Sequence, residues 1–250
     1  MRRPSVASSA GAGRLLSLDV ARGVALLGMV IFHLCYDLAL AGLIPRDVPT
    51  REGWRLFAKL VAGSFLFLSG VSLWLAHGRG IRWPVFVRRI GVLALAAAAI
   101  SATTYAMAPD RFVYFGILHA IAVSNLLALA FLRLPALLTL LVAGGVWALP
   151  RLVALPALDH PALHWIGLST WHRPSMDFEP LFPWAAATLA GLACTRLATA
   201  AGLWPRLRER EKPAANLLHP LGWPGRHSLA IYLIHQPVLV AVTQAIARLT

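Results

Sequence analysis

The chain reads as an all-α protein embedded in a membrane: a polytopic helical bundle of about seven spans with its N-terminus in the cytoplasm. Three observations lead there. Of its 250 residues, 58% are hydrophobic and only 13% charged, where a soluble domain of this size carries roughly a quarter charged residues. Mean hydropathy is positive. Seven stretches, 18–43, 56–76, 85–107, 113–132, 134–154, 181–203 and 227–248, each approach or exceed the roughly 20 mostly apolar residues that a helix needs to cross a bilayer.

Taken in order, residues 1–13 are Ser, Ala and Gly with two arginines and are expected to form a disordered tail; 14–250 are expected to form a single transmembrane domain. No small-residue cleavage site follows a short apolar core, so the first stretch reads as a permanent anchor rather than a signal peptide. Short loops rich in Lys and Arg stay in the cytoplasm. With the N-terminus inside, fourteen Lys and Arg fall on the cytoplasmic side and eight outside, with Arg196 inside a helix. Six acids (Asp47, Glu52, Asp110, Asp159, Asp177 and Glu179) then lie outside. The longest polar connections are 155–180 outside and 204–225 in the cytoplasm. A net charge of +13 spread over such loops suits anionic lipid headgroups rather than nucleic acid. Cys35 and Cys194 both fall in helices, which suggests neither a disulfide framework nor a Cys metal site.

The first apolar stretch holds four ionisable side chains in SLDVARGVALLGMVIFHLCYDL. Arg22 and His33 are eleven residues apart, almost three helical turns, so their side chains point within about 20° of each other. Asp19 is three before Arg22 and Asp37 four after His33, which puts all four on one stripe. Facing lipid, each would cost several kcal/mol, so the stripe must face the bundle interior or a wet cavity. Asp19–Arg22 is also open to a plain structural reading, an acid complementing the positive end of the helix dipole. Asp37 is equally open to reading as an interfacial residue.

Later helices offer partners. The third begins FVRRIG, where Arg88 and Arg89 read either as interfacial anchors or as a phosphate clamp. The fourth carries His119 and Asn125 in an apolar span, and the seventh places Ser228, Tyr232 and His235 on one face. Helix–helix hydrogen bonding suffices for Ser228 and Tyr232. The outer loop LDHPALHWIGLSTWHRPSMDFEPLFPW pairs His160 and His164 beside Asp159, but Pro161 interrupts them and no metal site is expected. Trp165, Trp171, His172, Asp177 and Glu179 read as a sugar-binding surface or as an interfacial aromatic belt.

LDVARGVALLGMVIFH fits the Arg–ten residues–His pattern of the membrane-bound acyltransferase superfamily, and FHLCYDL, FLFLSGVSL, FGILHAIA, DFEPLFPW and GRHSLAIYLIHQPVL follow in order. Together, over about residues 14–245, they resemble the heparan-alpha-glucosaminide N-acetyltransferase catalytic-domain family in its short bacterial branch, with likeness to acyltransferase-3. The resemblance implies a transferase moving an acetyl group from cytoplasmic acetyl-CoA to a sugar hydroxyl or amine on the far side, in a bacterial inner membrane. Carried over by residue, Arg22 and His33 match the superfamily's Arg and His, and Arg88 and Arg89 the cytoplasmic Arg pair. His119 and Asp177 match motif positions without an assigned role. In the animal members the catalytic His lies just before the second helix and an Asn stands at the place of His33. This chain has PTREGWRL there, so the resemblance moves the catalytic role to His33.

The expected site is then His33, Arg22 and Asp37 for catalysis, with His33 as general base or acyl carrier. Arg88, Arg89 and His119 are expected at the acetyl-CoA, and Asp177, Glu179 and Trp171 at a carbohydrate or glycolipid acceptor, with no metal. Two other functions fit the stripe: a proton-coupled transporter, and a non-catalytic membrane protein that keeps the fold.

Overall fold

The computed structural model describes residues 15–249, so the expected 1–13 tail and Arg14 lie outside the described residues. Helices run in the order α1 (Leu16–Leu40), α2 (Glu52–His77), α3 (Trp83–Met107), α4 (Ile117–Leu129), α5 (Ala136–Leu152), α6 (Leu181–Ala200), α7 (Leu203–Glu211), α8 (Ala215–Leu221), α9 (Trp223–Arg226) and α10 (Ser228–Leu249). The seven apolar stretches become α1 to α6 and α10. Among the described residues there is no strand, and a single bridge joins Phe115 to Phe178.

Length separates the seven apolar helices. α1, α2, α3, α6 and α10 are long and apolar enough to cross a membrane, whereas α4 and α5 have 13 and 17 residues. The apolar run 113–132 is therefore not one helix. Its first residues are drawn out to meet the chain at 178–179, where Glu179 N–H bonds the Phe115 carbonyl at 3.0 Å. Past Leu129 the chain turns ahead of Pro135, the N-cap of α5.

Contacts along the bundle fix the helix directions. The Trp74 indole N–H donates to Thr199 at 2.9 Å, near the C-terminal ends of α2 and α6, and Thr188 of α6 donates to the Leu66 carbonyl of α2. These two helices are parallel. Arg196, near the end of α6, donates to the Leu132 and Leu134 carbonyls in the α4–α5 turn. α1 and α10 also run the same way. Gly225, just before α10, abuts Asp19 near the start of α1, and Gln236 further along α10 bonds Asp37 near its end. The direction alternates from one apolar helix to the next, the two short ones included.

α6 sits at the centre, packed on α2, α4 and α5. In lipid, helices associate by close packing and hydrogen bonds rather than by the hydrophobic effect, and small residues supply that here. A Cβ on Gly70 would lie 2.0 Å from the Thr188 carbonyl oxygen, and one on Gly191 2.1 Å from that of Phe67. Leu73, Leu189 and Leu192 fill the layer below the crossing; Leu66, Phe115, Ala120 and Ile121 fill the layer above. Outward, Leu95, Leu141 and Ile234 stand exposed, as lipid-facing side chains do. The connection 204–225, read from sequence as polar linker, folds as α7 to α9 against the start of α1. There the Glu211 carboxylate accepts the Leu16 and Ser17 N–H groups at 3.0 Å each, a negative charge on orphan donors at a helix N-terminus.

Candidate active site

Arg22, near the start of α1, donates to Ser72 of α2 at 2.6 Å and to Asp19 at 3.0 Å, and Asp19 is 1% exposed. Its neighbours across the bundle are Arg89 of α3, Ser69 of α2 and Ser228 of α10, and together they line an open cleft of about 110 Å³. Apolar side chains of α2, α3 and α4 (Phe65, Leu68, Leu93 and Ile121) form its walls, and Tyr232 of α10 closes the far side. Asp19 answers Arg22. Among the described residues Arg89 has no hydrogen bond or ion pair. A cleft with an unanswered guanidinium and flanking hydroxyls is equipped for an anion.

Arg88 follows the opposite course. One residue is 100° on a helix; both arginines are solvent-accessible at the start of α3, but only Arg89 lines the cleft. The adjacent pair expected as a clamp is thus divided.

Past Tyr232, Ile117 and Leu118, which line both spaces, a narrow crevice too tight for a water molecule reaches Asp177 and His119. Asp177 caps α4: its Oδ2 accepts the Ile117 N–H at 3.0 Å. Position 116 must be glycine for this, since a Cβ there would sit 2.2 Å from that oxygen. Burial raises the Asp177 carboxyl to about 6. Burial, together with the nearby Asp177 charge, raises Glu179 well above the carboxylate range, against a hydrogen bond from Trp184 and the charge of Lys59. The two acids expected at the acceptor therefore stand together and resist carrying two charges at neutral pH.

His119, expected among the acyl-donor residues, is found elsewhere. Its Nδ1 accepts the Gly116 N–H at 3.2 Å, and its Nε2 faces Ser101 Oγ at 3.4 Å. The Ser101 hydroxyl donates to the Val113 carbonyl at 2.6 Å, so Nε2 carries the proton and Ser101 accepts it. Both ring nitrogens hold the loop before α4. Ser101 is twelve residues beyond Arg89 on α3, on the order of 18 Å along the axis, so His119 belongs with Asp177 and not with the arginines.

His33 and Asp37 meet α10. The His33 ring lies 5.0 Å from that of His235, and His235 lies 5.6 Å from Tyr232 in the cleft wall. His33 is thus joined to the cleft through two rings and is not among its lining residues. Asp37, 6% exposed, accepts from Gln236 Nε2 at 3.0 and 3.2 Å; no hydrogen bond joins it to His33. Trp171 is exposed with its ring edge against His164, 4.8 Å away, and His164 is fully buried with Nε2 on the Asp159 carbonyl. Among the described residues no three His, Cys, Asp or Glu side chains gather as a metal would require.

Sequence reasoning passed over Ser69, Ser72 and Gln236, and gave Ser228 and Tyr232 only a packing role. A hydroxyl facing a cleft and one facing a carbonyl have the same sequence signature. The Ser228–Tyr232–His235 spacing was the available signal.

No curated protein and no solved structure matches the chain. The family described as heparan-alpha-glucosaminide N-acetyltransferase, catalytic, matches residues 14–237, which takes in the cleft, both acids, the imidazole pair and Gln236. The chain belongs to that family of membrane acetyltransferases.

Proposed function

We propose that the protein moves an acetyl group from acetyl-CoA, bound from the cytoplasmic side, to a hydroxyl or amine of a sugar or glycolipid presented from the outer side of a bacterial inner membrane. The observation that carries this reading is the cleft with Arg22 and Arg89 at one end and the Asp177–Glu179 pair beyond the other. The donor's phosphates pair with Arg89, with the positive charge of Arg22 beside it, and the apolar walls take the pantetheine arm. The thioester lies towards Tyr232. Asp177 and Glu179 orient the acceptor, with Trp171 as an outer stacking surface.

His33 takes the acceptor's proton as general base, a role worth about 10²–10⁴ in rate. The acceptor oxygen or nitrogen bonds to the acetyl carbon, the C–S bond breaks, and the CoA thiolate leaves with a proton from the imidazolium. Developing charge on the carbonyl oxygen is met by guanidinium donors. An acetyl-imidazole on His33 is the covalent variant of the same step.

The test is acetyl-CoA binding and thiol release by purified protein in detergent, wild type beside His33→Ala. The expected result is binding by both and thiol release by wild type alone. Absence of binding by either overturns the reading and favours solute flux as the activity to assay.

A further inference from the structure

The proposed reaction leaves His235 and Gln236 without a task, and the structure supplies one. The His235 Nδ1 lies 2.5 Å from the Tyr232 carbonyl oxygen of its own helix. A carbonyl only accepts, so Nδ1 carries the hydrogen, and in the neutral ring Nε2 is a bare lone pair. That Nε2 is buried and has no hydrogen-bond partner. Beside it stands the His33 ring, which likewise makes no hydrogen bond among the described residues, with centroids 5.0 Å apart and planes at 59°. At that separation no hydrogen bond joins the rings, and a turn of the His33 ring is what brings a nitrogen of each to hydrogen-bond length. Two unsatisfied imidazoles side by side in a membrane helix pair are costly unless one of them gains something on reaction.

The helices are fixed at this height. Gln236 follows His235 directly and donates to both oxygens of Asp37, one turn beyond His33 on α1. The clamp holds α10 in register with α1, so that the two rings meet without being bonded to each other.

We infer that His235 is a positioning residue whose bare Nε2 receives the N–H of His33 when His33 becomes charged. In the resting site both rings are neutral and His33 offers a lone pair on one nitrogen. As the acceptor's proton arrives there, the N–H on the other nitrogen gains a full positive charge to share, and His235 Nε2 is the acceptor at hand. The proton then returns from His33 to the CoA thiolate, leaving both rings neutral. A bond that strengthens only as charge develops acts on the transition state and not on ground-state binding. It does for His33 what a carboxylate does in a Ser–His–Asp arrangement, a task Asp37 does not perform in this structure. The inference rests on the acyl-transfer reading for its consequence, and on the two rings alone for the pair itself.

Two readouts separate those layers. In detergent, His235→Ala is expected to bind acetyl-CoA as wild type does and to release thiol on the order of 10²-fold more slowly. His235→Gln, whose amide oxygen can accept the same N–H, is expected to regain about tenfold of that loss, which a purely structural role does not require. Wild-type thiol release by a folded His235→Ala overturns the inference. The second readout is independent of activity: nitrogen-15 spectra of histidine-labelled protein, assigned with His33→Ala and His235→Ala. The expected result is that the unprotonated His235 nitrogen shifts when His33 is replaced. An unmoved signal overturns the pair. Should wild type release no thiol while that signal moves, the acyl-transfer reading falls and the pair stands.

Discussion

Two contacts between transmembrane helices in this molecule are built on opposite plans. Where α2 crosses α6, the backbones touch through Gly70 and Gly191, Thr188 bonds the facing carbonyl, and leucines fill both sides. Where α1 meets α10, polar groups face each other: one amide on one carboxylate and one imidazole beside another. The share of each helix's most apolar window that is buried follows suit, 44% for α6 against 6% for α10. A helix with so little packing is held by its polar contacts, by Leu229 and Tyr232 against α3 and α4, and by the loop before it. The lesson is a division of labour: the α2–α6 crossing fixes the bundle, and the lightly packed helix carries Ser228, Tyr232 and His235 to the cleft and its rear wall.

The comparison breaks first at the crossing. Gly191→Leu drives a branched side chain into the Phe67 carbonyl, where backbone must move, and overpacking of this kind costs about 3 kcal/mol or more. The expected outcome is loss of the monodisperse peak in detergent gel filtration. A leucine introduced on the outer face of α10, Val242→Leu, is expected to leave the peak unchanged, since Val242 is 47% exposed.

Next in size is the division between adjacent arginines. Arg89→Ala removes the cleft's unanswered guanidinium and is expected to weaken acetyl-CoA binding by about 2 kcal/mol, roughly thirtyfold, in line with a charged hydrogen bond. Arg88→Ala is expected to change it less than about twofold, as exposed charges do. Calorimetric titration of the two variants measures the contrast. Equal losses would mean that both arginines reach the donor and that the division between them has no consequence for binding.

How much of this was legible in the sequence varies with the kind of contact involved. The Arg22–His33 stripe was legible because one helix carries it, and helical periodicity is a property of the local chain. The seven apolar helices were legible for the same reason. The early end of α4 was not, because the carboxylate that caps it is sixty residues away, at Asp177. Arg88 and Arg89 are equal in sequence; their neighbours on α2 and α10 decide which one lines the cleft. Gln236 reads as an ordinary polar residue until Asp37 is seen opposite it. Glu211 reads as part of a solvated charge run, yet its carboxylate caps α1.

A third effect is smaller and depends on pH. The raised Asp177 carboxyl favours the protonated form in the fold relative to the unfolded chain. Its contribution to stability is fully present below the ordinary carboxylate range and is lost as pH rises through about 6. The melting temperature in detergent is therefore expected to fall by on the order of 5 °C between pH 4 and pH 7. Asp177→Asn keeps an oxygen for the Ile117 N–H and removes the charge, so its profile should be flatter over that window. A profile as steep as wild type would assign the dependence to other groups.

The smallest effect probes the α1–α10 contact itself. Gln236→Leu leaves the buried Asp37 carboxylate without its amide donor, and an unmet buried acceptor costs about 1 kcal/mol or somewhat more. Asp37→Leu alone strands the amide in the same way. Replacing both with leucine removes the polar demand from each side, and paired removal is often close to neutral. The double variant should thus melt nearer to wild type than either single one, a coupling that a thermodynamic cycle measures directly. Its thiol release should stay low even so, because a leucine pair packs α10 on α1 without fixing the rotation that sets His235 beside His33. Recovery of stability without recovery of rate would separate holding α10 in place from aligning it, and that separation is what the contrast with the α2–α6 crossing implies.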